Sequence, residues 1–347
     1  MTNQTAKITQ LQEQIQKERR LVSFDSYDIS VRQLVEMFET DNIKIPPEYQ
    51  RQFLWDVNRQ SQLIESLFLG IPVPSLFMAT NNDSTWEIVD GVQRLGTVAH
   101  FVGTPSLLTK INRSEPLRIT ELEKIPAMQG MFYQDLPSTL QLMFGTRPLR
   151  VTVLNDKSDS NVRFDLFERL NTGGIILSAQ EIRNCVYRGI FNDSIKTLST
   201  TNDFVSVTNL QPADEKNGTR EELVLRFFAY LNAYQDFEHS VKGFLNDYMK
   251  KNINNAPSNL DIQLFKKTFQ YLRKELPNGI ARGNRRVTPI NLYEAISVGV
   301  ALCIKSGKAP RKVARLLNDP KLQKLTTGAT NSRKMVAGRI EFVRDAL

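Results

Sequence analysis

A short motif of charged and polar residues stands between an apolar strand pattern and a helix pattern. The segment WEIVDGVQRLGTVAHF, residues 86–101, reads as a strand that ends at Asp90-Gly91 and continues as a helix with Gln93 and Arg94 in its first turn. The first amides of a helix lack intrahelical acceptors and favour anions, phosphates above all. Gly91 lets the backbone come close or take a positive φ, and Arg94 can donate two hydrogen bonds to phosphate oxygens. We therefore predict a phosphate site, in which Asp90 holds Mg²⁺ or orients a water and Gln93 positions that water or a phosphate oxygen.

The same spacing also has a purely structural interpretation. Asp90 could be an N-cap, Gly91 a turn residue and Arg94 a surface cation. The spacing alone does not decide between these two interpretations.

Two further segments carry groups suited to a nucleotide. PEYQRQFLWD is rich in aromatic and bidentate side chains that can stack on a base or grip a phosphate; they are Tyr49, Gln50, Arg51, Phe53 and Trp55. FERLNTGGIILSAQEIRN supplies Glu168, Asn171 and two glycines before a helix that begins near Ser178. The alternatives are an edge strand packed on the core for the first segment and a helix C-cap with a turn for the second.

The hydrophobic periodicity predicts an α+β fold. Helix patterns follow Ser30, Asp56 and Gly91, whereas IPVPSLFMAT, STWEIVDG and PLRVTVLN read as strands. Capping-box spacing at Ser178 and Thr219 opens a region that is helical in pattern to the end. We predict an amphipathic helical arm over 1–21, a mixed α/β nucleotide-binding domain over 22–177 and a helical domain over 178–347.

Positive charge is concentrated in the last quarter of the chain. The net charge is +8, and residues 266–347 contain 18 Lys and Arg against 5 Asp and Glu. Such a patch is typical of contacts with nucleic acid or an acidic protein, although it also suits a solvated helical face. The candidate residues for binding DNA or a partner are Arg285, Arg286, Arg311, Lys312 and Arg315.

Several classes of protein lack support in the sequence. No apolar run is long enough to span a bilayer and the first residues do not resemble a signal peptide, so we expect a cytoplasmic protein without membrane contact. Cys185 and Cys303 are expected to be buried thiols. The two histidines, His100 and His239, are far apart in sequence and do not support an HNH nuclease, and no Walker motif or nucleophile elbow is present. If DNA is cut, we expect a separate polypeptide to cut it.

Four motifs in order resemble one known family. YQRQFLWD, LIESLFLGIPVP, EIVDGVQRLGTV and FERLNTGGIILSAQEIRN together look like the N-terminal domain of GmrSD-type modification-dependent restriction enzymes and related phage-defence proteins, over roughly residues 25–190. The resemblance implies a fold similar to the ParB/sulfiredoxin group and nucleotide hydrolysis through an Asp-Gly-Gln-Gln-Arg motif. It matches that motif to Asp90, Gly91, Gln93 and Arg94 and makes Arg51 a phosphate ligand.

The resemblance also implies cofactors, and one departure leaves the activity open. Mg²⁺ and ATP, GTP or CTP are the expected ligands, but Val92 stands where the family has its first Gln. If that Gln is needed for turnover, the protein binds nucleotide without hydrolysing it efficiently; if it only packs the helix, Val92 changes little. One hypothesis is an NTP hydrolase that senses DNA and licenses a separate nuclease or toxin. The other is a non-enzymatic adaptor or antitoxin-like partner, with direct DNA nicking as a minor third hypothesis and a homo-oligomer allowed by each.

Overall fold

The chain divides into two units. The structure is a computed structural model that describes residues 2–19, 23–46, 53, 55–81, 83–155, 160–170, 177–283, 286–328 and 330–347. Contacts between Cα atoms separate Met1–Ile176 from Leu177–Leu347. The first unit is a mixed sheet with helices and the second is mostly helical, so the predicted α+β class is confirmed. The similarity to ParB and sulfiredoxin stays a prediction.

The first unit is built on one mixed sheet. Its strands in the described part of the chain are β1 (Phe24–Ser30), β2 (Ile43–Lys44), β3 (Leu76–Thr80), β4 (Trp86–Asp90) and β5 (Pro148–Leu154), in the spatial order β1-β5-β3-β4-β2. The pairs β1–β5 and β3–β4 are antiparallel, whereas β3–β5 and β2–β4 are parallel. The strands predicted in IPVPSLFMAT and STWEIVDG are therefore confirmed as β3 and β4, which are neighbours in the sheet. Their register shifts between Phe77 and Met78, opposite the end of β4 at Asp90.

The first unit also contains helices, and two of them begin at N-caps that the sequence predicts. They are α1 (Thr2–Arg19), α2 (Val31–Glu39), α3 (Val57–Leu69), α4 (Val92–Val102), α5 (Pro105–Lys110), α6 (Ser138–Gly145) and α7 (Ser160–Leu170). The side chain of Ser30 accepts a hydrogen bond from the Gln33 amide and that of Asp56 accepts one from the Arg59 amide, as expected of N-caps. Helix α3 ends at Gly70 with φ 71°, a left-handed conformation that glycine adopts without strain.

The second unit is a bundle of helices. Its helices are α8 (Ala179–Val186), α9 (Ile190–Ser199), α10 (Asn202–Val205), α11 (Thr219–Ala233), α12 (Val241–Asn252), α13 (Asn259–Glu275), α14 (Ile290–Lys305), α15 (Pro320–Thr326) and α16 (Arg333–Ala346). Ser178 and Glu181 form the predicted capping box. The second predicted capping box is wrong: Gly218 is the N-cap of α11, and Thr219 is its first residue. Glu222 instead pairs with arginines, because the bundle interior contains cations that need a carboxylate.

A buried ion-pair network, which the sequence patterns do not predict, runs through this bundle. Glu294 on α14 is fully buried and pairs with Arg226 of α11 at 2.5 Å and with Arg339 of α16. Arg226 also pairs with Glu222, which accepts from Arg183 of α8 at 3.0 Å. Desolvation lowers the pKa of Arg226, but the nearby charges of Glu294 and Glu222 outweigh it, so that pKa lies above its ordinary value. The network joins four helices by charge as well as by apolar packing.

The structure also describes both cysteines and the helices that could be compared with a membrane span. Cys185 and Cys303 are buried, as predicted. No helix within the described ranges is long and apolar enough to cross a membrane.

Candidate functional site

The Asp-Gly turn places the motif at the end of a strand and the start of a helix. Asp90 is the last residue of β4, Gly91 is the N-cap of α4, and Gln93 and Arg94 lie in the first turn of that helix. No side chain caps this turn among the residues that the structure describes. The first amides of α4 therefore have no side-chain cap from this turn.

Arg94 is fixed by two contacts on one nitrogen. Its Nη2 atom donates to Asp90 Oδ2 at 2.7 Å and to the carbonyl oxygen of Ser75 at 3.0 Å. The Arg94 and Asp90 side chains are only 16% and 26% exposed, so water screens the pair weakly. Arg94 Nε is buried and has no hydrogen-bond partner in the described part of the chain. The guanidinium therefore retains donor capacity beyond the ion pair.

Gly91 is required by conformation and by space. Its φ is 100°, in the left-handed region where a β-carbon is strained. A β-carbon at this position would lie 2.4 Å from Leu76 Cδ2 and 3.1 and 3.4 Å from the Nη2 and Nε atoms of Arg94. The absence of a β-carbon thus lets the Arg94 guanidinium pack close to the turn. The structural interpretation of Asp90 as an N-cap receives no support, since Gly91 occupies that position.

Gln93 joins the motif to the aromatic segment. Its Oε1 atom accepts a hydrogen bond from the backbone amide of Trp55 at 3.1 Å. The carbonyl of Trp55 accepts from Gln60 Nε2 at 2.7 Å, and the guanidinium of Arg59 lies 4.4 Å from the centre of the Trp55 ring. Gln93 therefore positions the chain beside the motif, in addition to any contact with a ligand.

The same hydrogen-bond chain continues into the core through His100. Its Nδ1 atom lies 2.8 Å from Gln60 Oε1, and its Nε2 atom lies 2.9 Å from the carbonyl oxygen of Glu115. Burial lowers the pKa of His100 below its ordinary value, the Glu115 carbonyl opposes that shift, and the nearby charge of Arg113 adds to it. His100 is thus a buried residue with hydrogen bonds on both ring nitrogens.

Phe53 anchors the aromatic segment on α4. A β-carbon at Gly96 would lie 2.4 Å from the Phe53 ring, so the absence of a side chain there makes room for it. The ring meets His100 edge-on at 6.1 Å between centres, and the Arg113 guanidinium lies 5.1 Å from its centre. Phe53 is thus held against α4 and Arg113, which are far from it in sequence.

Val92 has a packing role. Its side chain is 8% exposed at the start of α4. The position that departs from the family pattern therefore faces the protein interior.

The structure describes only part of the two other segments that were predicted to bind a nucleotide. Tyr49, Gln50, Arg51 and Asn171 lie outside the described residues. In the third predicted segment, α7 packs on β4 with Phe164 and Phe167 fully buried, and Glu168 is exposed.

Asp90 is the predicted magnesium ligand. Within the ranges described, no three His, Cys, Asp or Glu side chains converge on one point. Mg²⁺ is commonly held by one or two carboxylates together with phosphate oxygens and waters. Asp90 could therefore serve as one carboxylate ligand of a magnesium ion whose other ligands are phosphate oxygens and waters.

The predicted basic residues lie in the second unit. Arg286, Arg311, Lys312 and Arg315 are exposed, and Arg285 is outside the described residues. Arg315 Nη2 donates to the carbonyl oxygen of Ala346 at 3.1 Å, which links its segment to the end of α16.

Several residues of this region were missed by sequence reasoning. No sequence motif points to the Ser75 carbonyl, Gln60 or Glu87. A backbone acceptor has no signature in a sequence, and a single glutamine or glutamate does not show there that it is buried. Glu87 is 1% exposed in β4, three residues before Asp90. The spacing of Gly96 and His100 on one side of α4 was the only available indication that an aromatic ring packs there.

Comparison with known proteins matches part of the chain to a family model. Residues 31–188 match the family model described as GmrSD restriction endonuclease, N-terminal domain. No curated protein and no solved structure matches the chain. The matched range contains β4, the Asp-Gly turn and α4, together with the aromatic segment. Residues 31–188 therefore belong to the family of GmrSD restriction endonuclease N-terminal domains.

Proposed function

We propose that the first unit binds a nucleoside triphosphate by its phosphates at the Asp90-Gly91 turn. On this proposal the chain is the nucleotide-dependent sensor of a GmrSD-type, modification-dependent restriction system. Binding or hydrolysis of ATP, GTP or CTP, coupled to DNA, licenses a separate nuclease or toxin. The family match supports the restriction context, and the geometry of the turn supports the ligand.

The observation that carries the proposal is a buried guanidinium nitrogen without a partner among the described residues, beside a helix start that no described side chain caps. Arg94 Nε is buried without a partner, and Gly91 leaves space against it. An arginine donor together with helix amides is the usual protein ligand set for phosphate oxygens. The ion pair with Asp90 holds Arg94 in place before the phosphate arrives, which reduces the entropy that binding must overcome.

The same residues supply the chemistry of hydrolysis. Water attacks the terminal phosphorus of the nucleotide, and the bond from that phosphorus to the bridging oxygen breaks. The nucleoside diphosphate leaves with the bridging oxygen and its negative charge. Asp90 accepts the proton of the attacking water, and Arg94 neutralises charge on the phosphate oxygens. Magnesium, when bound, supplies further neutralisation of phosphate charge.

Phosphate release from ATP, GTP and CTP, with magnesium and with or without duplex DNA, tests the proposal. Asp90→Ala should lower turnover by about 10²-fold or more, the range for loss of a positioned base. Asp28→Ala is the matched control, because Asp28 forms an exposed pair with Arg150 in the same unit. Equal turnover in wild type and Asp90→Ala would refute a role for Asp90 in hydrolysis.

A second candidate function is binding without turnover. Val92 faces the interior and Gln93 Oε1 is bonded to the Trp55 amide, so neither is shown facing a reacting water. On this hypothesis the nucleotide is a structural ligand, and the protein acts as an adaptor or antitoxin-like partner. Absence of phosphate release, with nucleotide binding still detected by calorimetry, would favour it over the hydrolase.

A further inference from the structure

The second unit has a groove near the end of the described chain, formed by two helices. Residues of α15 and α16 enclose a space of about 490 Å³. Its lining is Lys321, Leu325, Lys334, Met335, Gly338, Phe342, Asp345 and Ala346. None of these residues belongs to the unit that contains the Asp-Gly turn, so substitutions can change the groove and the turn separately.

The groove exists because α16 has two apolar stripes. Val336, Ile340 and Val343 are fully buried and pack inside the bundle. Met335, Gly338 and Phe342 follow the spacing i, i+3, i+7 and form a second stripe, which lines the groove and remains partly exposed. Gly338 deepens it, since a β-carbon there would lie 3.4 Å from Leu325 Cδ2.

The rim of the groove is positively charged. Lys321 and Lys334 are exposed lining residues, and Lys321 Nζ lies 5.1 Å from the centre of the Phe342 ring. The acidic lining residue Asp345 is paired with Arg344, whose Nε atom lies 2.7 Å from Asp345 Oδ1. Between residues 311 and 347 there are nine Lys and Arg against three Asp and Glu. A ligand in the groove therefore meets apolar side chains below and cations around them.

This combination favours a protein segment over duplex DNA. Phosphates could pair with the lysines, but the DNA backbone would leave Leu325, Met335 and Phe342 against polar atoms. An amphipathic helix satisfies both features, with apolar side chains at i, i+3 or i+4 and i+7 in the groove and acidic residues toward the rim. The chain's own helix α1 is a poor occupant. Its exposed stripe of Ile8, Leu11 and Ile15 lies in a segment with more Lys and Arg than Glu.

We propose that the groove between α15 and α16 binds an acidic amphipathic helix of a partner protein. Apolar side chains of that helix occupy the space beside Met335 and Phe342, and its carboxylates pair with Lys321 and Lys334.

A fluorescein-labelled synthetic peptide of about 18 residues tests the proposal by anisotropy with the full chain. The peptide has Leu and Phe at helical spacing on one face and Glu on the other, which is a helix-in-groove ligand. A second peptide replaces each Leu and Phe with Ser at the same net charge, and a labelled duplex DNA of about 20 base pairs represents the nucleic acid alternative.

Two sets of variants separate local contact from general charge. The double variant Lys321→Glu with Lys334→Glu should weaken binding of the acidic peptide by about tenfold or more, and Met335→Gln by about fivefold. Lys266→Glu with Lys267→Glu is the matched control, because it changes net charge equally at exposed positions of α13 outside the groove. This control should change the affinity less than about twofold.

Three results with the peptides would overturn the proposal. They are no binding of the amphipathic peptide at about 1 mM, equal weakening by the groove and control double variants, and equal binding of the Ser-substituted peptide. Duplex DNA that binds more tightly than the peptide and is lost with the groove variants would also overturn it, in favour of a nucleic acid surface. Nucleotide binding by the groove variants should be unchanged, which keeps this test separate from that of the Asp-Gly turn.

Discussion

Substitution of Gly91 by alanine tests the geometry of the turn. The structure gives two independent costs. A non-glycine residue at φ 100° is strained by about 1–2 kcal/mol. The new β-carbon would also lie 2.4 Å from Leu76 Cδ2, more than 1 Å inside the usual contact distance of about 3.5–4.0 Å. Leu76 is 1% exposed and has little room to move.

The expected loss is therefore larger than backbone strain alone. Crowding in a packed core costs about 1–3 kcal/mol, so Gly91→Ala should lower the unfolding free energy of the first unit by about 2–5 kcal/mol. Gly130→Ala is the matched control in the same unit. Gly130 has φ 81°, and its nearest atom to a β-carbon is Arg118 Nη2 at 3.5 Å, an ordinary contact. We expect that control to cost about 1–2 kcal/mol from strain.

Urea unfolding followed by tryptophan fluorescence measures this unit selectively. The two tryptophans, Trp55 and Trp86, both lie in the first unit. A double-mutant cycle with Leu76→Ala isolates the contact, because alanine at 76 removes the crowding methyl. The cycle should show that the two substitutions together cost about 1–3 kcal/mol less than their sum. Equal losses for Gly91→Ala and Gly130→Ala, with no coupling to position 76, would refute the close approach.

Three further predictions follow from the hydrogen-bond chain and the buried ion pairs. Gln93→Leu should lower the stability of the first unit by about 0.5–1.5 kcal/mol and change Trp55 emission, because the Trp55 amide loses its acceptor; unchanged emission would contradict this role. Burial depresses the pKa of His100 in the folded state. The contribution of His100 to the free energy of unfolding is therefore fully present above the ordinary histidine pKa of about 6.5. That contribution is lost as the pH falls through this value toward the lower folded-state pKa. Urea midpoints at pH 7.5 and 5.5 should therefore differ more for wild type than for His100→Gln, and identical differences would contradict the assignment. Glu294→Gln should cost about 3–5 kcal/mol because it leaves buried arginines uncompensated, whereas Asp203→Asn, in an exposed pair, should cost about 1 kcal/mol or less. Thermal unfolding by circular dichroism compares these two, and similar losses would argue against a structural role for the network.

Local signals predicted the turn and its surrounding elements well. The Asp90-Gly91 junction, the helix that follows it and the caps at Ser30 and Asp56 depend on nearby residues, so spacing and residue type were sufficient. The capping box at Thr219 failed for a tertiary reason. Glu222 forms ion pairs with Arg226 and Arg183. Arg183 belongs to another helix, so its position beside Glu222 depends on how the bundle is packed.

The contacts that link distant segments could not be predicted from the sequence. The bond between Gln93 and the Trp55 amide spans 38 residues, and the contact of Arg94 with the Ser75 carbonyl uses a backbone atom with no sequence signature. Sequence reasoning assigned Gln93 to a water, and the structure shows its oxygen bonded to the chain. The basic C-terminal region was predicted from composition, but its apolar groove required the relative positions of α15 and α16.

Calorimetric titration of nucleotide tests the central claim most directly. ATP, GTP and CTP with magnesium are titrated into wild type, Arg94→Gln and the control Arg150→Gln, whose arginine forms an exposed pair in the same unit. Loss of a hydrogen bond from a charged donor costs about 1.5–3 kcal/mol, so Arg94→Gln should raise the Kd of the bound nucleotide by about 10- to 150-fold while Arg150→Gln leaves it unchanged. An unchanged Kd in a folded Arg94→Gln variant, or no binding of any of the three nucleotides to wild type, would contradict a phosphate site at the Asp90-Gly91 turn.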